Sequence, residues 1–171
     1  MLISIRSETP QDAAAVRNVN EQAFGQAQEA RLVEQLHANG AVLLSLVAIV
    51  DDQVVGHILY SPACVGEESV EIRGAGLAPL AVLPQFQRCG VGSELVDEGS
   101  RRMRQSGYPF IVVLGHPEYY PRFGFVPASR YGLRCQWDVP DEAFMVLALD
   151  EPTLRTVTGL VRYRKEFRAL A

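Results

Sequence analysis

Two hydrophobic periods alternate along the 171 residues of the chain. Apolar residues three or four positions apart predict helices, because that spacing places them on one helical face. The predicted helices are Pro10–Phe24, Glu29–His37 and Gly90–Gln105. Short apolar or alternating runs between turn residues predict strands. The predicted strands are Ile3–Arg6, Leu43–Val50, Gln53–Ser61, Ser69–Ile72, Leu77–Leu83, Phe110–Gly115, a short one near Phe125, Phe144–Leu149 and, as an edge strand, Leu160–Phe167.

The order of these elements predicts the fold class. Most neighbouring strands can pair as antiparallel hairpins, and one strand–helix–strand passage around Gly90–Gln105 supplies a parallel pair. We therefore expect a mixed, mostly antiparallel central sheet flanked by helices, an α/β (α+β) fold. We expect one domain over residues 1–171, with a core at about 3–150 and a C-terminal strand extension at 151–171.

Composition and charge exclude several classes of function. Hydrophobic residues make up 48% of the chain, charged residues 21%, and the formal net charge is −4, which argues against a large nucleic-acid-binding face. The longest apolar run, Ala41–Val50, is too short to span a membrane, and the N-terminus lacks a secretory pattern. Cys64, Cys89 and Cys135 have no metal-ligand spacing. Free thiols and a cytoplasmic location are the simplest interpretation.

A glycine motif, QRCGVGSELV at Gln87–Val96, stands between a predicted strand and a predicted helix. A dinucleotide-binding fingerprint needs a glycine at the sixth place after Gly90, where Leu95 stands. A P-loop needs a lysine before its Ser or Thr, and none precedes Ser93. Both interpretations are weak.

The physical chemistry of the motif still favours an anion. The first N–H groups of a helix lack intrahelical partners and lie at its positive end. Gly90 and Gly92 carry no side chain to keep a phosphate away from those groups, and Arg88 adds a cation. The alternative is a helix start whose glycines only ease packing. From the motif alone the two interpretations are about equally supported.

The surrounding sequence resembles a known family. LAVLPQFQRCGVG is similar to the acetyl-CoA-binding motif Gln/Arg-x-x-Gly-x-Gly/Ala of the GNAT N-acetyltransferase superfamily, with Gln87, Gly90 and Gly92 at the motif positions. YYPRFGFVPA resembles that family's Tyr-x-x-x-Gly-Phe segment, with Tyr120 and Gly124-Phe125 in place. EARLVEQL, LGHPEYYPRFGF and GLVRYRKEF resemble the YhbS-like group of predicted acetyltransferases.

The resemblance implies a cofactor site for acetyl-CoA, used as a co-substrate without a metal. In the family, the strand before the motif splays from its parallel neighbour and its backbone pairs with the pantetheine arm. The splayed pair would be Leu77–Leu83 and Phe110–Gly115. The resemblance assigns the backbone role to Leu80, Ala81 and Val82. It assigns the diphosphate to the turn and helix start: Arg88, Cys89, Gly90, Val91, Gly92 and Ser93, after Gln87 in the first motif position.

The implied reaction is acyl transfer from a thioester to a primary amine. By motif position Tyr120 is the general acid that protonates the departing thiolate, with Tyr119 as the fallback. For the base, Glu29 ranks first as a tentative assignment. His57, Glu118 and an ordered water remain open. Cys89 would lie at the phosphates, far from the thioester, so we do not expect it to be a nucleophile.

The alternatives concern catalysis and partners. A non-catalytic acyl-CoA-binding sensor of the same fold would carry the same motif, and a nucleotide-phosphate-binding protein is a third hypothesis. The acceptor could be a small molecule or a peptide amine, and the family allows a homodimer. Many members have a long helix before the Tyr-x-x-x-Gly-Phe segment. Here only His116–Tyr119 fills that place, which argues against such a helix.

Overall fold

The structure is a computed structural model that describes residues 1–67 and 69–170. The α-helices of the described chain are α1 (Ala13–Phe24), α2 (Gln28–Ala38), α3 (Val91–Gln105) and α4 (Glu151–Leu154). Its strands are β1 (Ser4–Ser7), β2 (Leu44–Val50), β3 (Gln53–Val65), β4 (Ile72–Val82), β5 (Phe110–Leu114), β6 (Val126–Pro127), β7 (Leu133–Arg134), β8 (Phe144–Ala148) and β9 (Gly159–Tyr163).

Strand pairing confirms the predicted fold class. β1 pairs with β2, β2 with β3, and β5 with β8, all antiparallel. β4 and β5 are parallel, and α3 connects them along the chain. The sheet is therefore mixed and mostly antiparallel, with helices around it. This is what the alternation of the two hydrophobic periods predicts.

The chain divides into two compact units. The first contains Met1–Tyr60, Ala78–Arg101 and the segment from Lys165. In it, β1, β2 and the first part of β3 form an antiparallel ladder whose central side chains are fully buried. Helices α1 and α2 each bury one face, which includes Val16 and Val19 on α1 and Leu32 and Leu36 on α2.

The second unit contains Ser61–Leu77 and Arg102–Arg164. Here β4 pairs with β5, β5 with β8, and β8 with β6. The end of β3 pairs with β9, which also pairs with β7. A buried apolar cluster holds these strands together: Ala63, Val65, Phe110, Val112, Ala128, Leu133, Phe144, Val146, Leu154, Val157 and Val161.

Strand β4 differs from its prediction. The sequence predicts two pieces, Ser69–Ile72 and Leu77–Leu83, because Gly74 and Gly76 look like turn residues. The structure has one strand from Ile72 to Val82. A Cβ at Gly74 would lie 2.2 Å from the Phe110 ring, and one at Gly76 would lie 2.8 Å from the Tyr163 ring. These glycines therefore make room for aromatic rings inside a strand.

The C-terminal segment also differs. The predicted edge strand Leu160–Phe167 is wrong in two respects. β9 ends at Tyr163 and has strand neighbours on both sides, and Lys165–Leu170 is a 3₁₀ helix. Within the first unit, Asn39 donates a hydrogen bond to Glu166 at 3.0 Å. The alternation of apolar residues cannot show that a short strand lies between two others.

The start of the first helical segment depends on Asp12. Its carboxylate accepts two hydrogen bonds from Arg6, at 2.7 and 2.9 Å, and one from the backbone N–H of Thr9 at 2.7 Å. The Arg6 hydrogen bond holds the pKa of Asp12 well below its usual range. A carboxylate with a lowered pKa stabilises the fold above its unfolded-state pKa and loses that contribution as the pH falls.

We expect Asp12→Asn to lower the free energy of unfolding by about 1–2 kcal/mol at pH 7, through loss of the cap and the ion pair. The difference from the parent should shrink between pH 5 and about pH 2 as Asp12 becomes protonated. Urea unfolding of both proteins at several pH values measures this difference in the free energy of unfolding. Asp97→Asn, on the exposed side of α3, is the control. A difference that does not change with pH would contradict this account.

Candidate active site

The glycine motif forms a short turn that is anchored at both ends in the first unit. β4 ends at Val82, and the N–H of Leu83 donates to the carbonyl of Val55 at 2.9 Å. At the other end, Val91 is buried as the first residue of α3. A Cβ at Gly56 would lie 2.8 Å from its side chain, so helix and strand touch there. The two residues that anchor the turn, Val55 and Gly56, are adjacent in β3.

The turn itself exposes its backbone. Gln87–Gly90 is exposed, and two of its residues adopt left-handed conformations, Arg88 with φ 62° and Gly90 with φ 90°. Such turns form concave nests of N–H groups that bind anions. Among the described residues, the N–H groups of Arg88, Cys89 and Gly90 have no acceptor in the protein.

The first turn of α3 extends this nest. The hydrogen bond from the N–H of Glu94 to the carbonyl of Gly90, at 3.0 Å, closes the first turn. The N–H groups of Val91, Gly92 and Ser93 precede it and therefore have no intrahelical acceptor. Successive backbone donors thus lie at the positive end of a 15-residue helix, and the exposed residue Arg88 stands in the turn before it. The arrangement is suited to a diphosphate.

One contact in this region was not predicted. The side-chain amide of Gln87 donates to the carbonyl of Val82 at 3.1 Å. It therefore links the turn to the end of β4. The Cys89 thiol lies 3.4 Å from the carbonyl of Gln87 and is exposed. The spacing of the motif marks Gln87 as a motif position, but nothing in the sequence indicates which acceptor its amide would find.

The three predicted backbone positions lie in the last part of β4. Ala81 is buried, and Leu80 and Val82 are half-buried. In the described chain, the register of β4 with β5 consists of Ala75 with Ile111 and Gly76 with Val112. β4 continues beyond that register to Val82, after Pro79, which has no N–H to donate.

Tyr120 lies in the second unit and is the first residue of a 3₁₀ helix, Tyr120–Phe123. Its side chain is 7% exposed and makes edge contacts with the rings of Tyr119 and Phe125, at centroid distances of 5.0 and 5.6 Å. Burial raises the pKa of its hydroxyl well above the usual range. Tyr120 is protonated at neutral pH, as a tyrosine of ordinary pKa also is.

The fallback position, Tyr119, has different surroundings. Its ring is half-buried, and the Arg122 guanidinium lies 4.4 Å from its centroid. Between β5 and the 3₁₀ helix, the N–H of Tyr119 donates to the carbonyl of the exposed His116 at 3.1 Å, as in a turn. No long helix forms in this part of the described chain, as the short spacing predicts.

The base candidates differ in accessibility. Glu29 lies in the first turn of α2, half-buried, and accepts from Gln26 at 3.0 and 3.2 Å. Glu118 is exposed in the second unit. His57 is fully buried, 2.9 Å from Ser45 Oγ, and burial lowers its pKa. A neutral imidazole that is fully enclosed and hydrogen-bonded in this way cannot reach an acceptor amine from solvent, so its role is structural.

Metal and membrane features were searched over residues 1–67 and 69–170. No group of three or more His, Cys, Asp or Glu side chains in that range could hold a metal ion. The helices of the same residues are too short or too polar to cross a membrane. Cys64 and Cys135 are half-buried free thiols, and burial raises the pKa of each.

A mixed sheet with a glycine turn between a strand and a helix agrees with the resemblance to acetyltransferases. The sequence matches the family model "Acetyltransferase (GNAT) domain" over residues 4–128. The chain belongs to the GNAT family of acetyltransferases, and the predicted superfamily is confirmed.

Individual relatives are similar over nearly the whole chain. "Uncharacterized N-acetyltransferase YhbS" of Escherichia coli K12 is 39% identical over 164 residues, 95% of this chain and 97% of the relative. The crystal structure of E. coli YhbS in complex with CoA superposes with a TM-score of 0.91, covering 97% of this chain and 92% of that one. A GNAT acetyltransferase from Brucella melitensis in complex with acetyl-CoA is 37% identical, with a TM-score of 0.78 and 97% and 98% coverage.

Proposed function

We propose that this protein transfers the acetyl group of acetyl-CoA to a primary amine by direct attack within a ternary complex. The observation that carries the proposal is the anchored turn Gln87–Ser93, whose successive backbone N–H groups, together with Arg88, suit a diphosphate. The complexes of E. coli YhbS with CoA and of the Brucella protein with acetyl-CoA support the same ligand for this chain.

The proposed cofactor contacts follow the order of the chain. The N–H groups of Arg88–Ser93 bind the two phosphates, and the Arg88 guanidinium neutralises part of their charge. The backbone of Leu80–Val82, beyond the register of β4 with β5, pairs with the amides of the pantetheine arm. The Gln87 amide bonds to the carbonyl of Val82 and so fixes the distance between the phosphate-binding turn and the pantetheine-binding end of β4.

The proposed chemistry has three parts: deprotonation of the amine, stabilisation of the oxyanion and protonation of the thiolate. The acceptor amine loses a proton to Glu29 or to an ordered water, because only the neutral amine attacks the thioester carbonyl. A backbone N–H of β4 stabilises the oxyanion of the tetrahedral intermediate. The amine nitrogen forms the C–N bond and loses its second proton to solvent, the C–S bond breaks, and Tyr120 protonates the departing thiolate of CoA and then regains a proton from solvent.

The decisive experiment separates ligand binding from turnover. We expect CoA and acetyl-CoA to raise the melting temperature more than ATP or NAD does, and at least one amine in a broad panel to release thiol from acetyl-CoA. Binding of CoA without turnover across the panel would favour a non-catalytic acyl-CoA sensor. Greater protection by ATP or NAD would overturn the phosphate-site assignment itself.

We expect Cys89→Ser to change kcat less than about twofold, because an exposed thiol at the diphosphate site cannot carry the acetyl group. Initial rates measured against both substrates should give intersecting double-reciprocal lines, as a ternary complex requires. Parallel lines, together with loss of activity in Cys89→Ser, would instead indicate an acetyl-cysteine intermediate.

A further inference from the structure

A second polar site lies in the first unit, away from the glycine turn. Glu8, directly after β1, lies in the wall of a pocket of about 500 Å³. This volume is within the range of pockets that hold small molecules. Half of the lining is apolar: Pro10, Ala13, Val16, Ala30 and Val33. A carboxylate in such a wall needs a reason, because burying a charge is costly unless it is paired.

A network of hydrogen bonds from neighbouring side chains holds the Glu8 carboxylate in place. Asn20 Nδ2 lies 3.1 Å from His57 Nδ1, so that nitrogen accepts and the proton of the neutral imidazole is on Nε2. His57 Nε2 donates to Ser45 Oγ at 2.9 Å, and the Ser45 hydroxyl donates to Glu8 Oε1. His37 Nε2 donates to the same oxygen at 3.0 Å. The network therefore fixes both the position and the orientation of the carboxylate.

The same network keeps Glu8 ionised. Burial alone would raise the pKa of Glu8, but the adjacent His57 and the Ser45 hydroxyl lower it, and the resulting pKa is about 2. In the part of the chain that the structure describes, the hydrogen bonds to this carboxylate end on Oε1. Oε2 can therefore accept a hydrogen bond from a ligand in the pocket.

One other lining group acts directly on Glu8: the imidazole of His37, whose Nε2 lies 3.0 Å from Glu8 Oε1. The remaining charged groups of the lining are the Glu34 carboxylate and the Arg17 guanidinium. Arg17 is already paired with Glu34 and, at 2.6 Å, with Glu21. Its charge is thus shared between two acids outside the Glu8 network. The lining thus carries one more carboxylate than guanidinium, which favours a cation.

We propose that this pocket binds a small aliphatic ammonium ion, whose N–H donates to Glu8 Oε2 and whose hydrocarbon part packs against α1 and α2. The site is separate from the glycine turn. The Glu8 carboxylate lies 3.5 Å from His57 Nε2, whereas the turn is anchored at Val55 and Gly56 of the same strand. Successive side chains of a strand point to opposite faces of the sheet, so His57 and the Gly56–Val91 contact lie on opposite sides.

A tertiary ammonium tests this site independently of acyl transfer. N,N-dimethylbutylammonium keeps one N–H donor but cannot form a stable N-acetyl product. We expect it to bind saturably, and to perturb backbone amide resonances of α1 and α2 in ¹⁵N–¹H spectra. Hexanoate, with a similar body and the opposite charge, should not bind. Equal binding of hexanoate, or no saturable binding of the ammonium ion, would overturn the proposal.

Two pairs of variants locate the binding. Glu8→Gln should raise the Kd of the ammonium ion at least about tenfold, whereas Glu34→Gln should change that Kd less than about threefold. Ala13→Leu fills the pocket from α1 and should weaken binding by at least about tenfold, whereas the exposed Ala14→Leu should not. If Glu8→Gln does not fold, as judged by circular dichroism, the alanine pair decides. Unchanged affinity in Ala13→Leu would then refute the site.

Discussion

Replacing Tyr120 by Phe should lower kcat at least about 100-fold and leave the Kd of CoA within about twofold. The substitution removes only the hydroxyl, so the edge contacts with the rings of Tyr119 and Phe125 remain. If Tyr120 supplies the proton to the thiolate, turnover falls while cofactor binding does not. Thiol-release kinetics and CoA titration measure the two quantities separately.

Tyr119→Phe is the matched control, since it removes a hydroxyl one residue away from a half-buried ring. It should keep nearly full turnover. The pH profile gives a second test. Burial raises the pKa of Tyr120, so its acid form persists above the usual tyrosine range. The parent enzyme should therefore show no fall in kcat between pH 8 and about pH 10. Unchanged turnover in Tyr120→Phe, with chemistry rate-limiting, would contradict the acid role.

The substitution Gly90→Glu should raise the Kd of CoA at least about 100-fold, because it puts bulk and negative charge at the proposed diphosphate site. The matched variant is Gly90→Ala. Both variants force a side chain onto a backbone with φ 90°, so both carry the same strain. A Cβ at this position has no atom within 4 Å, so alanine adds no clash.

The comparison of the two variants isolates the charge and bulk. We expect Gly90→Ala to raise the Kd of CoA less than about tenfold. Isothermal titration of CoA into each variant, after thermal unfolding confirms that both fold, gives the values. Equal affinity in Gly90→Glu and the parent would remove the diphosphate from this turn. Equal losses in both variants would assign the effect to backbone strain.

The hydrophobic periods predicted those elements whose burial is one-sided and regular. α3 is an example, because its apolar residues recur at helical spacing and Gly107 follows its end with φ 83°. β4 was predicted in pieces because glycines inside a strand and glycines in a turn look alike in sequence. The contacts that distinguish them, with Phe110 and Tyr163, come from distant parts of the chain.

The same limit applies to the sites. The glycine turn is predictable because its chemistry depends on adjacent residues and their backbone. The Glu8 network is not, because Glu8, Asn20, Ser45 and His57 meet only when β1, α1, β2 and β3 pack together. His57 was therefore considered as a candidate base, whereas its surroundings place it behind the Glu8 carboxylate. A network whose side chains come from several elements can be recognised only once the fold is known.

The two anchors of the glycine turn have a thermodynamic consequence. A flexible loop must be ordered when it closes on a ligand, and that ordering reduces affinity. Here Leu83 and Val91 are both held on the Val55–Gly56 segment by contacts within the protein itself. Calorimetry of CoA binding should therefore show little entropic penalty from the protein backbone. Hydrogen exchange of the turn's flanking amides, at Leu83 and Glu94, should be nearly the same with and without CoA.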